Sequence, residues 1–167
     1  MTAWVSERVN RGHELDSFDC GVTALNAWLR RDALRADRQN TARTYVWTQE
    51  NSTIVRAYYA IAPTTVRKTG VPRSVRGGHT NLPSYLLARL ALDQSLQGRG
   101  LGAALLLDAL RRVDGAVAQA GGRLLVVDAA SAAAADLCRH FGFVQIGDSN
   151  RCHLRASVIR MLLAQSP

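Results

Sequence analysis

A glycine cluster between two apolar segments limits what this chain can fold into more than any other feature. Tyr85–Leu92 is an apolar run typical of a buried strand, and Leu101–Ala120 carries apolar residues along one helical face. Between them lies the glycine-rich turn Gln97–Gly102. Backbone N–H groups at a helix start are unsatisfied and lie at the positive end of the helix dipole. Because glycines let the backbone approach a ligand closely, the turn predicts a phosphate site, although a flexible turn without a ligand would have the same composition.

Two familiar phosphate-binding motifs do not fit this turn. The nucleoside-triphosphate P-loop ends in Gly-Lys-Ser/Thr, and no such ending follows here. Gly98, Gly100 and Gly102 also lack the spacing of the dinucleotide-binding fingerprint. The ligand class that remains is a pyrophosphate held by backbone amides, without a catalytic lysine or a magnesium ligand.

The rest of the chain predicts an α/β fold with a mixed central sheet, in a single domain that covers residues 1–167. Strand–helix–strand units in the middle imply parallel strands and a right-handed crossover there. The turn Glu50-Asn51-Ser52 predicts a hairpin, and Pro63–Pro83 predicts a long loop with or without a short helix. The predicted strands are Met1–Asn10, Thr44–Gln49, Ile54–Ile61, Tyr85–Leu92, Arg123–Ala129, Phe143–Ile146 and His153–Leu163.

Three helices are predicted from periodicity and capping residues. The first covers Thr23–Asn40, with Asp19 or Thr23 as its cap, and the second is Leu101–Ala120. The third begins after Ser131 and ends near Phe141, where Gly142 terminates it.

Composition favours a folded cytoplasmic protein. Apolar residues make up 47% of the 167 residues and charged residues 20%, which is typical of a domain with its own core. No apolar run approaches the roughly 20 residues that cross a bilayer, and Met1–Gly12 has no apolar stretch that would serve as a signal peptide. The cysteines Cys20, Cys138 and Cys152 are odd in number and lack CxxC spacing, so neither a disulfide framework nor a metal is expected. The adjacent pair Cys152–His153 has no second half to complete a metal site.

The motif Gln97-x-x-Gly100-x-Gly102 at a strand-to-helix junction resembles the acetyl-CoA signature of the GNAT acetyltransferases. Further segments resemble one branch of that fold, the toxins of bacterial toxin–antitoxin modules, and the similarity covers roughly residues 5–163. These segments are Phe18-Asp19-Cys20-Gly21, Leu25-Asn26, Trp28-Leu29, Arg43-Thr44-Tyr45-Val46, Tyr58-Tyr59-Ala60, Asp128-Ala129 and His140-Phe141-Gly142-Phe143. The resemblance implies an enzyme that acetylates the α-amino group of the amino acid on a charged tRNA and is neutralised by a ribbon-helix-helix antitoxin. A homodimeric state is left open.

The same resemblance implies where acetyl-CoA binds. Backbone groups of Leu90–Leu92 would bond the pantetheine arm in the manner of an added strand, and Gly98–Gly102 would hold the pyrophosphate. Arg99 would reach a phosphate or remain a solvated turn residue. The residues implied in cofactor binding are Leu90, Ala91, Leu92, Gln97, Gly98, Arg99, Gly100, Leu101 and Gly102.

One position departs from the family pattern. The family places a tyrosine, in a Phe-Tyr pair before the final Gly-Phe, where its hydroxyl protonates the departing thiolate of CoA. The matching pair here is Leu137-Cys138, and the Cys138 thiol is the candidate proton donor because its ordinary pKa of about 8.5 suits a thiolate of similar basicity. The alternatives are that Cys138 is only a small buried residue, with water, Ser131, Tyr58 or Tyr59 as the donor, or that the protein is inactive.

The net charge of +8 favours an anionic partner. Arg31, Arg35 and Arg38 recur at helical spacing, whereas a second basic group lies in the predicted loop. These groups predict tRNA binding through phosphates, although Asp32 and Asp37 could instead pair with the helix arginines. The predicted tRNA-binding residues are Arg31, Arg35, Arg38, Arg43, Arg73 and Arg76, with Arg30, Arg67 and Lys68 beside them.

Two other functions are compatible with the sequence. One is a small-molecule or protein N-acetyltransferase, and the other is a CoA-binding module that has lost catalysis and works as an interaction protein. Toxicity on expression separates the first from the toxin, and acetyl-CoA turnover with any amine separates the second from both.

Overall fold

The computed structural model describes residues 3–129 and 131–166. The described residues form seven β-strands, six α-helices and one short 3₁₀ turn. The strands are β1 (Trp4–Arg8), β2 (Arg43–Gln49), β3 (Ala57–Arg67), β4 (Asn81–Leu92), β5 (Leu124–Asp128), β6 (Val144–Gln145) and β7 (Arg151–Arg155). The helices are α1 (Thr23–Arg31), α2 (Ala33–Arg38), α3 (Arg73–Arg76), α4 (Leu101–Ala120), α5 (Ala132–His140) and α6 (Ala156–Gln165).

One compact unit comprises the chain up to Ala62 together with Ala88–Ala109. In it, β1, β2 and β3 pair as antiparallel neighbours. Residues of α1 and α2 pack on these strands around the fully buried Tyr58, whose ring meets Phe18 edge-on at 5.4 Å and stacks on Trp28 at 6.1 Å. The apolar side chains of α1 and α2 therefore cover one face of this unit.

Helix α4 is fixed in the same unit by a single carboxylate. Asp108 Oδ2 accepts hydrogen bonds from Ser6 Oγ (2.5 Å), Trp47 Nε1 (3.1 Å) and Tyr59 Oη (2.8 Å), one residue on each of β1, β2 and β3. Hydrogen bonds to an ionised acceptor are stronger than those between neutral groups. This carboxylate therefore ties the first half of α4, and the turn before it, to three strands.

The second compact unit comprises Pro63–Leu87 together with the chain from Leu110 onward. Within it, β4 and β5 are parallel, β5 and β7 are antiparallel, and β6 pairs with the other side of β7. The parallel pair confirms the prediction of parallel middle strands in a mixed sheet. The core of this unit consists of Val66, Val71, Leu82, Leu124, Val126 and Ile146.

Several predicted elements are confirmed. Helix α4 has the predicted bounds, and Ser131 caps α5, since its Oγ accepts the Ala134 N–H at 3.1 Å. The predicted hairpin joins β2 to β3, and Asn51 in its turn has a φ of 62°. The predicted strand Met1–Asn10 contains β1, whereas its first two residues lie outside the described part of the chain.

The prediction for the first helix was wrong in two respects. The segment is interrupted at Asp32, which ends α1 and precedes α2. Aspartate has a low helix propensity because its short side chain competes for local partners, and here that side chain pairs with Arg35. The N-cap is Val22, without a side-chain bond, so neither Asp19 nor Thr23 caps this helix.

Two further predictions had the wrong bounds. The strand predicted for His153–Leu163 ends at Arg155, and α6 begins at Ala156. Ile159 is buried, and Leu162 and Leu163 follow it at i+3 and i+4, which is helical spacing that outweighs the β-branched residues. The loop predicted for Pro63–Pro83 is shorter, because β3 continues to Arg67 and β4 begins at Asn81.

Candidate functional site

The glycine-rich turn follows β4 directly and has the geometry of a ligand cradle. Gly98 and Gly100 have φ values of +76° and +74°, in the left-handed region that side chains rarely adopt. A Cβ at either position would meet no described atom within 4 Å. Crowding by the protein therefore does not explain these glycines, and the space in front of the backbone is open to a ligand.

The N-terminus of α4 is well placed to bind that ligand. Gly100 immediately precedes Leu101, the first residue of α4, and has no side chain to accept the N–H groups of the first turn. Gly102 lies in the helix, where an added Cβ would make an ordinary contact of 3.9 Å with Leu92 Cδ1. The backbone N–H groups of the turn and the helix dipole together suit a pyrophosphate.

Gln97, predicted to bind the cofactor, supports the turn in the structure. Its Nε2 donates to the Leu92 carbonyl at 3.0 Å and to the Cys20 carbonyl at 2.9 Å. The side-chain amide thus links the end of β4 to the segment before α1. Gln97 is therefore a positioning residue for the glycines that follow it.

Asp93 supports the turn as well; it directly follows Leu90–Leu92 in the sequence motif, but the sequence assigned it no role. Asp93 is 6% exposed, and its carboxylate accepts the Asp19 N–H at 3.0 Å and both the N–H (3.0 Å) and the hydroxyl (2.7 Å) of Ser95. Arg56 lies 3.8 Å from it. Burial raises the pKa of Asp93, but the bonds from Asp19 and Ser95 and the charge of Arg56 outweigh it and hold the pKa below its ordinary value.

The segment Phe18–Gly21 supports the turn from the other side. Asp19 Oδ1 accepts from the Gly21 N–H and from Asn26 Nδ2, both at 2.9 Å, while the Cys20 N–H donates to Asn26 Oδ1. The Gln94 N–H donates to the Asp19 carbonyl at 2.9 Å. The only sequence signal for this support was the Phe18-Asp19-Cys20-Gly21 motif of the resemblance.

We expect Asp93→Asn to destabilise the protein at neutral pH by about 1–3 kcal/mol, because an amide nitrogen would face a donor or leave one unpaired. Since the pKa of Asp93 is lower in the folded state, its stabilisation is present above the unfolded-state pKa of about 3.9 and is lost as the pH falls through the folded-state pKa. The deficit measured by urea unfolding should therefore be full at neutral pH and should shrink progressively as the pH is lowered below ~4. The control is the exposed Asp16→Asn, and an equal deficit there would contradict this role.

The other predicted cofactor residues lie beside the turn in the same unit. Ala91 is buried in the core with Val46 and Tyr58, whereas Leu90 and Leu92 are half-buried. Arg99 is exposed and Leu101 is half-buried. Binding of the pantetheine arm along Leu90–Leu92 stays a prediction.

Cys138 lies on α5 in the second unit and is 5% exposed. Burial raises the pKa of its thiol, and the nearby Cys152 raises it further, so the group stays protonated at neutral pH. A raised pKa also makes proton transfer to a thiolate of ordinary basicity less favourable. The proton-donor role of Cys138 therefore stays a prediction. The protonated state of the thiol supports it, and the raised pKa disfavours it.

The two tyrosines proposed as alternative donors have structural roles. Tyr58 and Tyr59 are both 0% exposed. The Tyr58 hydroxyl donates to the Leu25 carbonyl and the Tyr59 hydroxyl to Asp108, each at 2.8 Å. Ser131 lines a 610 Å³ groove between α5 and the β6–β7 turn, and its hydroxyl hydrogen stays available because the oxygen is the accepting atom of the cap.

The predicted basic residues are exposed to different degrees. Arg31, Arg35 and Arg38 are exposed, but Arg35 pairs with Asp32 at 2.5 Å, as the alternative interpretation anticipated. Arg43 is half-buried and donates to the Asp37 carbonyl (2.8 Å) and to Asn40 Oδ1 (2.7 Å), so it is engaged locally.

The second basic group and the cysteine–histidine pair lie in the other unit. Arg73 is exposed and Arg76 half-buried on the one-turn helix α3. Cys152 and His153 are successive residues of β7, so their side chains point to opposite faces and cannot hold one metal ion together.

Comparison with known proteins identifies the class to which this chain belongs. No known family model matches the sequence. A tRNA-acetylating toxin of Mycobacterium tuberculosis is 33% identical over 148 residues, which is 88% of this chain and 87% of that protein. The chain is thus a GNAT-fold acetyltransferase, as the turn before α4 indicates. Within that class, it belongs to the family of tRNA-acetylating toxins.

Solved structures of this family have the same fold. A tyrosine-to-phenylalanine mutant of KacT superposes with a TM-score of 0.88 at 27% identity, covering 95% of this chain and 98% of that one. AtaT complexed with acetyl-methionyl-tRNAfMet gives 0.88 at 29% identity, with coverage of 96% and 99%. An AtaT mutant bound to the C-terminus of the antitoxin AtaR and to acetyl-CoA gives 0.82 at 29% identity, with coverage of 98% and 99%. The similarity therefore extends over nearly the whole chain.

Proposed function

We propose that this chain transfers the acetyl group of acetyl-CoA to the α-amino group of the amino acid on a charged tRNA and so stops translation. The observation that carries this proposal is the 33% identity to a tRNA-acetylating toxin over 88% of the chain. The relative AtaT, complexed with acetyl-methionyl-tRNAfMet, supports the α-amino group as the acceptor.

Acetyl-CoA supplies an acetyl group activated as a thioester. The turn fits its pyrophosphate, because the left-handed Gly98 and Gly100 leave open space before their amides. Asp93 and Gln97 fix the turn from behind through their bonds to the Asp19 N–H and the Leu92 carbonyl. The binding site is thus formed before the ligand arrives, which lowers the entropic cost of binding.

An aminoacyl ester needs little help to become a nucleophile. An α-amino group has an ordinary pKa of about 7.7–8.0, so a substantial share is neutral near physiological pH. A strong general base is therefore dispensable. The protein has to position the amine and supply a proton to the departing sulfur, from Cys138, Ser131 or water.

The remaining parts of the proposal concern context. We infer an antitoxin partner of the ribbon-helix-helix class, supported by the complex of AtaT with AtaR. Within the part of the chain that the structure describes, no helix is long and apolar enough to cross a membrane. Cytoplasmic action follows from the proposed substrate. We infer a single domain of residues 1–167, because 167 residues is an ordinary size for one domain.

One observation favours a second candidate function. Solved structures of the relatives KacT and AtaT carry a tyrosine-to-phenylalanine mutation, and this chain has Cys138 where the family pattern has a tyrosine. A CoA-binding interaction protein without catalysis is consistent with that replacement. Protein synthesis in a purified translation system separates the two candidates. Inhibition that requires both the protein and acetyl-CoA supports the toxin, and undiminished synthesis supports the binding module.

We expect charge reversal at Arg31 together with Arg38 to weaken tRNA binding. Both are exposed, and neither forms an ion pair among the described residues. The slope of log affinity against log salt should fall by about 0.9 for each phosphate that the variant no longer neutralises. Arg139→Glu together with Arg160→Glu is the control, because it changes the net charge by the same amount at arginines that pair with Asp136 and Asp114. If tRNA affinity changes neither with salt nor in the variant and its control, a small-molecule substrate is favoured.

A further inference from the structure

A second, smaller cleft lies in the unit that contains β5, β7 and α6. Its volume is 270 Å³, and the polar side chains that line it are Ser74, Arg123, Arg155 and Ser157. Arg123 precedes β5, Arg155 ends β7, and Ser157 is the second residue of α6. None of the described residues that line the cleft is acidic. Two cations and two hydroxyl groups therefore meet there without a carboxylate.

The arginines at this cleft have no anionic partner among the residues that the structure describes. Among the described residues, no ion pair involves Arg123 or Arg155, nor Arg73 or Arg76 on α3 beside Ser74. Arg123 Nη2 donates to the Val75 carbonyl at 2.8 Å, which orients the guanidinium and uses one of its five donors. The other donors are available for an oxyanion.

The backbone adds further donors. Helix α6 begins at the cleft, and its N-cap Arg155 makes no side-chain capping bond. The Ala156 N–H donates to the Arg123 carbonyl at 3.0 Å. The following N–H groups belong to the first turn of α6 and have no acceptors within the helix. Arg76 on α3 is half-buried and is not among the residues that line the cleft, although its Nε has no hydrogen-bond partner among the described residues.

We propose that this cleft binds a phosphate of the tRNA backbone, an inference that rests on the proposed function. Arg155 and Arg123 supply charge, Ser157 and Ser74 supply hydroxyl donors, and the first turn of α6 supplies N–H groups and its dipole. The cleft reads no base, because its donors suit any phosphodiester. Its contribution is to orient the RNA on the protein through a contact distinct from Arg31 and Arg38.

The test measures anisotropy of labelled, deacylated tRNA with the full chain over a range of NaCl concentrations. Arg155→Gln should lower the salt slope by about 0.9. Ser157→Glu should weaken binding about tenfold at ~0.1 M salt, because its charge opposes the phosphate. The same charge near a helix N-terminus stabilises the helix, so the melting temperature of Ser157→Glu should be unchanged or raised. A merely structural role for this position would leave tRNA binding unaltered.

Arg160→Gln is the matched control, since it removes one positive charge from α6, the helix that follows Arg155, at a residue that pairs with Asp114 at 3.4 Å. If the control loses as much tRNA affinity as Arg155→Gln, the assignment of the cleft is wrong, and the net positive charge of the protein explains the binding. Acetyl-CoA affinity should be equal in Ser157→Glu and wild type, and a weaker affinity would reassign the cleft to the phosphates of CoA.

Two outcomes separate the cleft from the proposed function. If wild type acetylates aminoacyl-tRNA but Arg155→Gln and Ser157→Glu bind tRNA as wild type does, the assignment of the cleft to a tRNA phosphate is wrong and the proposed function is retained. If wild type neither binds nor acetylates tRNA, the proposed function fails and the assignment to RNA fails with it.

Discussion

Gly100→Val should weaken acetyl-CoA binding by about 100-fold or more. Gly100 has a φ of +74° and leaves open space before the backbone, so a branched side chain would fill the place of the pyrophosphate. It would also turn the backbone away from the left-handed region, moving the amides of the turn. A hydrogen bond to a charged group contributes about 1.5–3 kcal/mol, and removing two such bonds from the amides gives at least this factor. Isothermal calorimetry with acetyl-CoA measures it directly.

Gly121→Val is a closely matched control for the backbone strain. Gly121 follows the other end of α4, has a φ of +82° and, like Gly100, would place a Cβ within 4 Å of no described atom. The strain at either position costs on the order of 1–3 kcal/mol of stability, so unfolding should report similar losses. Only Gly100→Val should lose acetyl-CoA. Unchanged affinity in a folded Gly100→Val protein would remove the turn from the binding site.

Cys138→Ala should lower kcat by about 10²-fold or more while leaving acetyl-CoA affinity unchanged, because a proton donor acts only as the sulfur departs. The raised pKa of the thiol gives the pH dependence. The acid form is present below this pKa, so the contribution of Cys138 to kcat should be lost as the pH rises through it. At lower pH, kcat falls in wild type and variant alike, because the α-amino group of the substrate is protonated. Single-turnover acetylation of aminoacyl-tRNA across pH measures both effects.

Cys152→Ala provides the control for packing. Cys152 is 8% exposed, so Cys152→Ala creates a small cavity similar to that of Cys138→Ala. The proposed donor remains, although its pKa is no longer raised by Cys152. Cys138→Tyr, which restores the family pattern, should retain activity where the pocket admits the ring. Equal rates for wild type, Cys138→Ala and Cys152→Ala would assign Cys138 to packing and leave Ser131 or water as the donor.

The geometry of the glycine-rich turn could be predicted because its features are local. Gly98 and Gly100 stand in a strand–turn–helix segment, where composition alone fixes which backbone angles are accessible. The support of that turn could not be predicted in the same way. Asp93 bonds the N–H of Asp19 across 74 positions of sequence, and an isolated aspartate gives no sign of a partner so distant. Only the resemblance identified the segment around Asp19.

The cleft at the start of α6 could not be predicted from the sequence for a related reason. The segment from His153 was predicted as a strand, which would have placed Arg155 and Ser157 on one face of a sheet with no helix end between them. In the structure, the burial of Ile159 fixes a helix, and the helix begins beside Arg123. Hydrophobic periodicity in a short apolar segment is ambiguous, and tertiary packing decided it.

The proposed function depends above all on the acceptor being the amino acid of a charged tRNA. A direct experiment incubates the protein with acetyl-CoA and a pool of charged tRNAs, digests the RNA with nuclease, and identifies the aminoacyl-adenosines by mass spectrometry. We expect N-acetyl-aminoacyl-adenosine from charged tRNA and none from the same pool after deacylation. Acetylation of free amines or peptides, with every aminoacyl-adenosine unmodified, would contradict the proposed function.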